Sequence, residues 1–177
     1  MNLPFVRYEF YDFHFACRGQ KFERSNYLIE KIRPVNRYFK YYTENIDEKK
    51  VISLQNGVMR INCIDCLDRT NLIQSKIAYD TLNTILTKCG FDIAKIFGAN
   101  TILEAADNAE TTNNMIIKLK NAWADNGDMI SKHYTGTGST HTNVTRTGKR
   151  DLKGIMDHGL KTLGRFYKQY MEDNFKQ

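Results

Sequence analysis

Cys63 and Arg69 are separated by five residues, and a hydroxyl, Thr70, follows the arginine directly. This set suits the hydrolysis of a phosphate monoester. A cysteine attacks as its thiolate, and backbone N–H groups, a helix N-terminus and a guanidinium all favour that anion; such surroundings lower cysteine pKa values to about 3.5–7.5. The same donors bind phosphoryl oxygens, and Arg69 offers a two-pronged grip that lysine lacks. Sulfur attack gives a cysteinyl-phosphate that water then hydrolyses, which splits one difficult displacement into two easier ones. Thr70 is placed to hydrogen-bond the departing thiolate, and the scheme needs no metal or other cofactor. The leaving alkoxide needs a proton, and Asp65 or Asp68 within the loop could give it. Asp68 is the first choice, although Arg69 beside it could instead hold it ionised.

Other chemistries fit the same residues less well. Cys63-Ile64-Asp65-Cys66 is also a Cys-x-x-Cys pair, suited to half a zinc site or to a redox couple. Cys17, Cys89, His14, His133, His141 and His158 are scattered singly, so no second pair of zinc ligands is evident. A redox couple leaves Arg69 and Thr70 unexplained, though Cys66 could trap an oxidised Cys63 as a disulfide. Around Gly148-Lys149 a nucleotide-binding Walker loop fails twice, because Asn143 replaces its first glycine and Arg150 its final hydroxyl.

Several elements must position the loop. Val58–Ile61 reads as a strand, joined through Asn56-Gly57 to a partner strand Val51–Leu54 in a hairpin. Beyond the loop, Leu72, Ile73, Ile77, Ala78, Leu82, Ile85, Leu86 and Cys89 recur at helical spacing, so a helix is expected from about Asn71 to Cys89. Gly90 is its terminating glycine and Cys89 a core residue. A strand, a tight loop and a helix N-terminus make an anion cradle. The expected fold class is therefore α/β: a short sheet, the Cys-x5-Arg-Thr loop between strand and helix, and several packing helices.

Elsewhere, Phe5–Phe15 alternates like an aromatic strand, with a parity switch and with His14 as a core residue. Ser25 is a candidate cap for a helix carrying Tyr27, Leu28, Ile29 and Ile32, which Pro34 should end or kink. Asn36–Lys50 reads as a surface connection. Its Tyr38, Tyr41 and Tyr42 suit packing, because the basic stripe of a nucleic-acid platform is missing. Phe91–Thr112 is of mixed character. Asn113–Tyr134 suggests a helix broken at Asn126-Gly127, and Thr135–Gly148 a loop. Leu152, Ile155, Met156, Gly159, Leu163, Phe166, Tyr167 and Tyr170 suggest a final amphipathic helix with its lysines and arginines on the other face, which could be solvated or lie on an anionic membrane surface.

With 177 residues, 41% of them hydrophobic, the chain has the bulk for one globular domain. No apolar run approaches the ~18 residues of a membrane span, and no secretory signal is visible. Four cysteines without such a signal point to reduced thiols in the cytosol. The net charge of +6 lies almost wholly between Met129 and Lys168, where eight basic residues face two acidic ones. Such a balance implies an anionic partner: nucleic acid, an anionic membrane or a polyphosphorylated small molecule.

The string Arg60-Ile-Asn-Cys-Ile-Asp-Cys-Leu-Asp-Arg-Thr-Asn71 closely resembles the signature of the Sac-domain phosphoinositide phosphatases. Protein tyrosine phosphatases and myotubularins share the Cys-x5-Arg principle without this string. Tyr11-Asp-Phe-His14, Asn121–Asp128, Tyr134–Gly138 and Thr145–Arg150 resemble other segments of the family, in order along the chain. The resemblance implies removal of a monoester phosphate, at position 4 or 3, from the inositol ring of a membrane lipid. Trp123-Ala-Asp-Asn126 and Thr145–Arg150 look closer to the endomembrane enzymes than to the synaptojanins, which favours phosphatidylinositol 4-phosphate.

At matching positions Cys63 is the nucleophile and Arg69 the phosphate clamp. Ile64, Cys66, Leu67 and Asn71 complete the loop that holds the substrate phosphate, and Arg146, Lys149 and Arg150 are candidates to line the headgroup's approach. The implied partner is a phosphoinositide at an anionic leaflet, with no nucleic acid. The implied location is peripheral, on the cytosolic face of endomembranes. Residues 1–177 correspond to a partial Sac catalytic domain without the family's N-terminal subdomain, so a protein partner or that subdomain is expected to complete it.

Overall fold

The computed structural model describes residues 6–140, 142–147, 156 and 159–167. The fold is mixed α/β and mostly helical, with one small antiparallel sheet. In chain order the elements are α1 (Phe13–Ala16), two short 3-10 turns, α2 (Asn26–Phe39), β1 (Thr43–Asn45), β2 (Lys50–Ser53), α3 (Asp68–Lys88), α4 (Ile93–Phe97), α5 (Ile102–Asp107), α6 (Asn114–Thr135) and α7 (Thr142–Thr147). Residues 159–167 are also helical.

The long helix α3 is the axis of the structure, and α2, α5 and α6 pack around it. Ile29, Tyr79, Ile93, Phe97, Ile102, Leu103 and Ile116 meet in the core that these helices share. The expected stripe is buried at the front of α3, at Leu72 and Ile73, and only half-buried from Ile77 onward. Its C-terminus closes as the sequence requires. Gly90 takes φ +83, Gly90 N–H donates to Thr87 O and Phe91 N–H donates to Leu86 O, each at 3.0 Å. This pair of bonds is the Schellman motif. Cys89, expected in the core, is exposed.

Several expectations are corrected. The Phe5–Phe15 strand does not form in its described part. Residues 6–12 are irregular, and Phe13–Ala16 is a helical turn capped by Asp12, whose side chain accepts from Phe15 N–H at 2.9 Å. The alternation finds no partner strand, so Val6, Tyr8, Phe10 and His14 all lie exposed. Ser25 does not cap α2 through its side chain; its hydroxyl donates to Phe22 O at 2.6 Å and closes a 3-10 turn. Pro34 neither ends nor divides α2. Side-chain bonds on either side of it, Arg33 Nε to Asp80 Oδ1 at 2.8 Å and Asn36 Nδ2 to Thr81 Oγ1 at 2.9 Å, tie the helix to α3.

The hairpin exists, but one segment earlier than expected. Thr43 pairs with Ser53 and Asn45 with Lys50, and Asn45 Oδ1 accepts from Asp47 and Glu48 N–H in the turn. Asn56-Gly57 is not its turn. Asn56 N–H donates to Phe39 O at 2.7 Å, and a Cβ on Gly57 would sit 2.4 Å from the Phe39 ring. The pair therefore docks against the end of α2, and glycine is needed there for close approach. Val58–Ile61 is consequently irregular and not a strand. A cleft of about 240 Å³ lies between this segment, α2 and α3, lined by Phe39, Val58, Met59, Ile61, Gln74 and Ile77.

Helix α6 runs unbroken through Asn126-Gly127. Asn113 caps its start by accepting from Met115 and Ile116 N–H, and Gly136 ends it at φ +69. Gly127 is buried where α6 crosses the front of α3, and a Cβ there would approach Asn71 Nδ2 to 2.8 Å. Part of the expected loop Thr135–Gly148 is helical, as α7.

Candidate active site

The front of α3 has two sides. On one lies the stretch from Asn62 to Leu67, which enters α3 without a side-chain cap, so the first-turn amides keep the partial positive charge of a helix N-terminus. Cys63 is half-buried, Ile64 is 97% exposed, Asp65 and Cys66 are exposed, and Leu67 is buried as the anchor. Cys66 takes the left-handed conformation, φ +54, unusual for a residue with a side chain. This bend brings its sulfur back to Cys63, where Cys63 N–H donates to Cys66 Sγ at 3.3 Å and Cys66 Sγ–H donates to Cys63 O at 3.2 Å. Leu67 N–H donates to Asp65 Oδ1 at 3.2 Å. Two loop amides are thus bonded within the loop.

Arg69 is half-buried, and its guanidinium makes no hydrogen bond or ion pair with any described residue. Thr70 Oγ1 is buried without a hydrogen-bond partner. An unpaired buried hydroxyl costs free energy, so it marks a place where a further acceptor or donor would be welcome.

The other side is saturated. Asp68 Oδ1 accepts from Ser139 Oγ at 2.5 Å and Thr140 N–H at 3.0 Å, while Oδ2 accepts from Thr140 Oγ1 at 2.6 Å and Arg165 Nη1 at 3.3 Å. Arg165 spreads further, from Nε to Thr137 Oγ1 at 3.2 Å and from Nη2 to Ser131 Oγ at 2.7 Å and Gly138 O at 3.3 Å. Asp128 Oδ1 accepts from Ser139 N–H at 2.8 Å and Thr142 Oγ1 at 2.5 Å. Asn71 is 5% exposed, and both ends of its amide are used on α6: Nδ2 donates to Trp123 O at 2.9 Å and Oδ1 accepts from Asn126 Nδ2 at 2.8 Å. The threonine-glycine stretch after α6 is thereby a brace against the front of α3.

The predicted site residues accordingly separate. Cys63, Ile64, Asp65, Cys66, Arg69 and Thr70 belong to the loop and the first turn of α3. Asp68 faces the brace and is held by Arg165, not by Arg69. Asn71 joins two helices. Arg146 pairs with Asp125 at 2.5 Å in an exposed bridge, and Lys149 and Arg150 lie outside the described residues. Sequence reasoning missed Ser131, Ser139, Thr140 and Arg165. The available signal was a threonine-rich stretch next to a basic helix, which reads equally well as a flexible loop beside a solvated face.

The last helix is turned the opposite way to the expectation in its described part. Leu160, Leu163, Phe166 and Tyr167 are exposed at 61–68%. Lys161 and Arg165 point inward, with Lys161 Nζ donating to Ser139 O at 3.0 Å. Polar carbonyls and carboxylates line the surface this helix meets, so its cations are the face that fits.

All four cysteines are free thiols. Among the described residues no three His, Cys, Asp or Glu side chains cluster as metal ligands, and no helix is long and apolar enough to cross a membrane.

No family model matches the chain. No solved structure matches it. Curated proteins do. The chain is 38% identical over 178 residues to phosphatidylinositol-3-phosphatase SAC1 of Drosophila melanogaster, an alignment covering 100% of this chain and 28% of the relative. It is 35% identical over 176 residues to phosphatidylinositide phosphatase SAC2 of Homo sapiens, covering 99% and 14%. It is 35% identical over 182 residues to the SAC1 phosphatase of Saccharomyces cerevisiae, covering 100% and 27%. The chain thus spans under a third of the length of these relatives, and the match runs through the Cys63 loop, the front of α3 and the brace behind it. By sequence from end to end, the chain belongs to the Sac-domain family of phosphoinositide phosphatases.

Proposed function

We propose that the chain is the catalytic portion of a phosphoinositide phosphatase that removes a monoester phosphate from the inositol ring. The observation that carries this reading is the contrast at the front of α3. Among the described residues the Arg69 guanidinium, the Thr70 hydroxyl and the uncapped helix N-terminus that follow the Cys63 loop have no partner, while the neighbouring Asp68, Asn71 and Arg165 are fully engaged. A phosphoryl group supplies what the first set lacks.

In the proposed reaction the Cys63 thiolate attacks phosphorus, and the bond from phosphorus to the ring oxygen breaks. The ring oxygen takes a proton from Asp65, whose exposed carboxyl stands within the loop. Asp68 is the weaker candidate, because its oxygens already accept from two hydroxyls, an amide and a guanidinium. Water then attacks phosphorus while the Asp65 carboxylate takes its proton, the sulfur–phosphorus bond breaks, free phosphate departs, and Thr70 donates to the returning thiolate. Arg69 holds two phosphoryl oxygens throughout. Ile64, Cys66 and Leu67 shape the loop around the phosphate, and Asn71 acts indirectly by fixing α3 to α6.

The relatives' names favour a membrane phosphoinositide, and that of the Drosophila SAC1 specifies the 3-phosphate; position 4 is the other candidate. Arg146 can exchange its exposed partner Asp125 for a headgroup at little cost, since surface ion pairs contribute only about 0–1 kcal/mol. Lys149 and Arg150 follow it in sequence and are proposed to share that role, on the cytosolic face of an endomembrane. The remainder of a Sac domain is the proposed protein partner.

A second reading has its own support. Cys63 and Leu67 amides are taken by Cys66 and Asp65, so the loop must open before all its donors reach a phosphate. That arrangement fits a phosphoinositide-binding module without turnover. Phosphate release from short-chain phosphatidylinositol 3- and 4-phosphates separates the readings. Turnover that vanishes in Cys63→Ser supports the enzyme. Binding without release supports the module, and release only from phosphopeptides or soluble inositol phosphates moves the substrate class.

A further inference from the structure

A second polar recess lies along the flank of α3, away from the Cys63 loop. It has a volume of about 250 Å³ and is bounded by Lys76 and Tyr79 of α3, Asp107 at the end of α5, Lys120 of α6 and Thr145 of α7, with Glu23 at its exposed edge. Lys76 and Lys120 are each 3% exposed. The two ammonium groups are provided for very differently. Lys76 Nζ donates to Asn26 Oδ1 at 2.6 Å and to both Asp107 oxygens at 2.9 and 3.1 Å. Lys120 Nζ reaches a single acceptor, the Asn108 carbonyl, at 3.4 Å.

An ammonium carries three donors, and a buried one with a single long bond is poorly compensated. Asp107 attracts it, but that carboxylate is already matched by Lys76. Burial accordingly lowers the Lys120 pKa against the pull of Asp107. The lining therefore holds two buried cations, Lys76 and Lys120, against the partly exposed carboxylate of Asp107 and the exposed one of Glu23. Tyr79 adds no negative charge, because burial and Asp107 keep its phenol protonated.

We propose that this recess is a second oxyanion site, distinct from the Cys63 loop, in which Lys120 binds a phosphate-sized anion with Lys76 behind it. The anion is free phosphate or the phosphoryl group of a small ester. It supplies the acceptors that the buried Lys120 ammonium lacks. The site does not depend on whether the Cys63 loop turns over.

The test uses the whole chain carrying Arg69→Ala, which removes the clamp of the first site. Inorganic phosphate is titrated against chloride at matched ionic strength, with Tm and amide hydrogen exchange as readouts. A hundredfold excess over Kd is expected to raise Tm by roughly 5–10 °C, and to slow exchange in α5 and α6 around Asp107 and Lys120. Adding Lys120→Met should abolish both effects. No response in the Arg69→Ala chain, or one that survives Lys120→Met, overturns the proposal. If the Lys120→Met chain does not fold, the exchange data decide: slowing confined to α5 and α6 supports the site, and unchanged exchange there contradicts it. A short-chain phosphoinositide in parallel distinguishes the ester from free phosphate as the preferred ligand.

Discussion

Two residues adjacent in sequence, Asp68 and Arg69, have opposite surroundings. The Asp68 carboxylate accepts from Ser139, Thr140 and Arg165 and is 7% exposed. The Arg69 guanidinium makes no hydrogen bond or ion pair with a described residue and is half-buried. One helical step turns a side chain by roughly 100°, so within the first turn of α3 Asp68 is held by the brace and Arg69 is not. In the proposed reading the Asp68 charge holds position and the Arg69 charge meets the substrate phosphate. Stability and activity should therefore respond separately to mutation.

The largest expected effect follows from that division. Arg69→Ala should lower turnover by ~10²–10³, the loss typical of removing one anion-stabilising group. Its melting temperature should stay close to that of the parent chain, because the guanidinium makes no hydrogen bond or ion pair with a described residue. A large stability loss in this variant would erase the distinction between the two sides. Asp68→Ala should do the reverse, destabilising by on the order of 3 kcal/mol in denaturant unfolding because Arg165 is left without its carboxylate. Its residual folded fraction should still turn over.

A third substitution probes the joint between brace and helix. Gly127→Ala puts a Cβ against Asn71 Nδ2 and should cost about 1–3 kcal/mol as overpacking, read by the same unfolding curves. The smallest effect concerns pH. Burial raises the phenol of Tyr11 to about 12, and raises Tyr79 still further with help from Asp107. In the unfolded chain these phenols titrate near 10. The folded state then binds more protons than the unfolded one above that value, so this stability is complete below about pH 10 and is lost as pH rises through the folded values. Tyr79→Phe should flatten the alkaline fall; an unchanged slope would contradict the assignment.

The elements of this fold were legible in sequence to different degrees, for physical reasons. Helix α3 was visible because its apolar spacing and Gly90 agree, and a local motif closes its end. The stretch from Asn62 was legible as a loop running into a helix, although the strand expected before it does not form. Asn56-Gly57 misled because it serves Phe39, a tertiary contact, and not a hairpin turn. Tyr8 and Phe10 misled because alternation makes a strand only where a partner supplies a ladder. Lys161 and Arg165 misled most: a basic face normally seeks water, but here Asp68 and the carbonyls of Gly138 and Ser139 await it. The brace as a whole was invisible, since threonines become informative only once their acceptors are placed.

The central claim is that Cys63 carries the phosphoryl group. It is tested most directly by quenching the reaction with acid during turnover of a short-chain phosphoinositide and measuring the mass of the peptide that contains residues 61–69. The account predicts that one phosphoryl group is gained on Cys63 during turnover and lost as substrate is exhausted, with none in Cys63→Ser. Phosphate release at full rate without that adduct, or release that persists in Cys63→Ser, would contradict it.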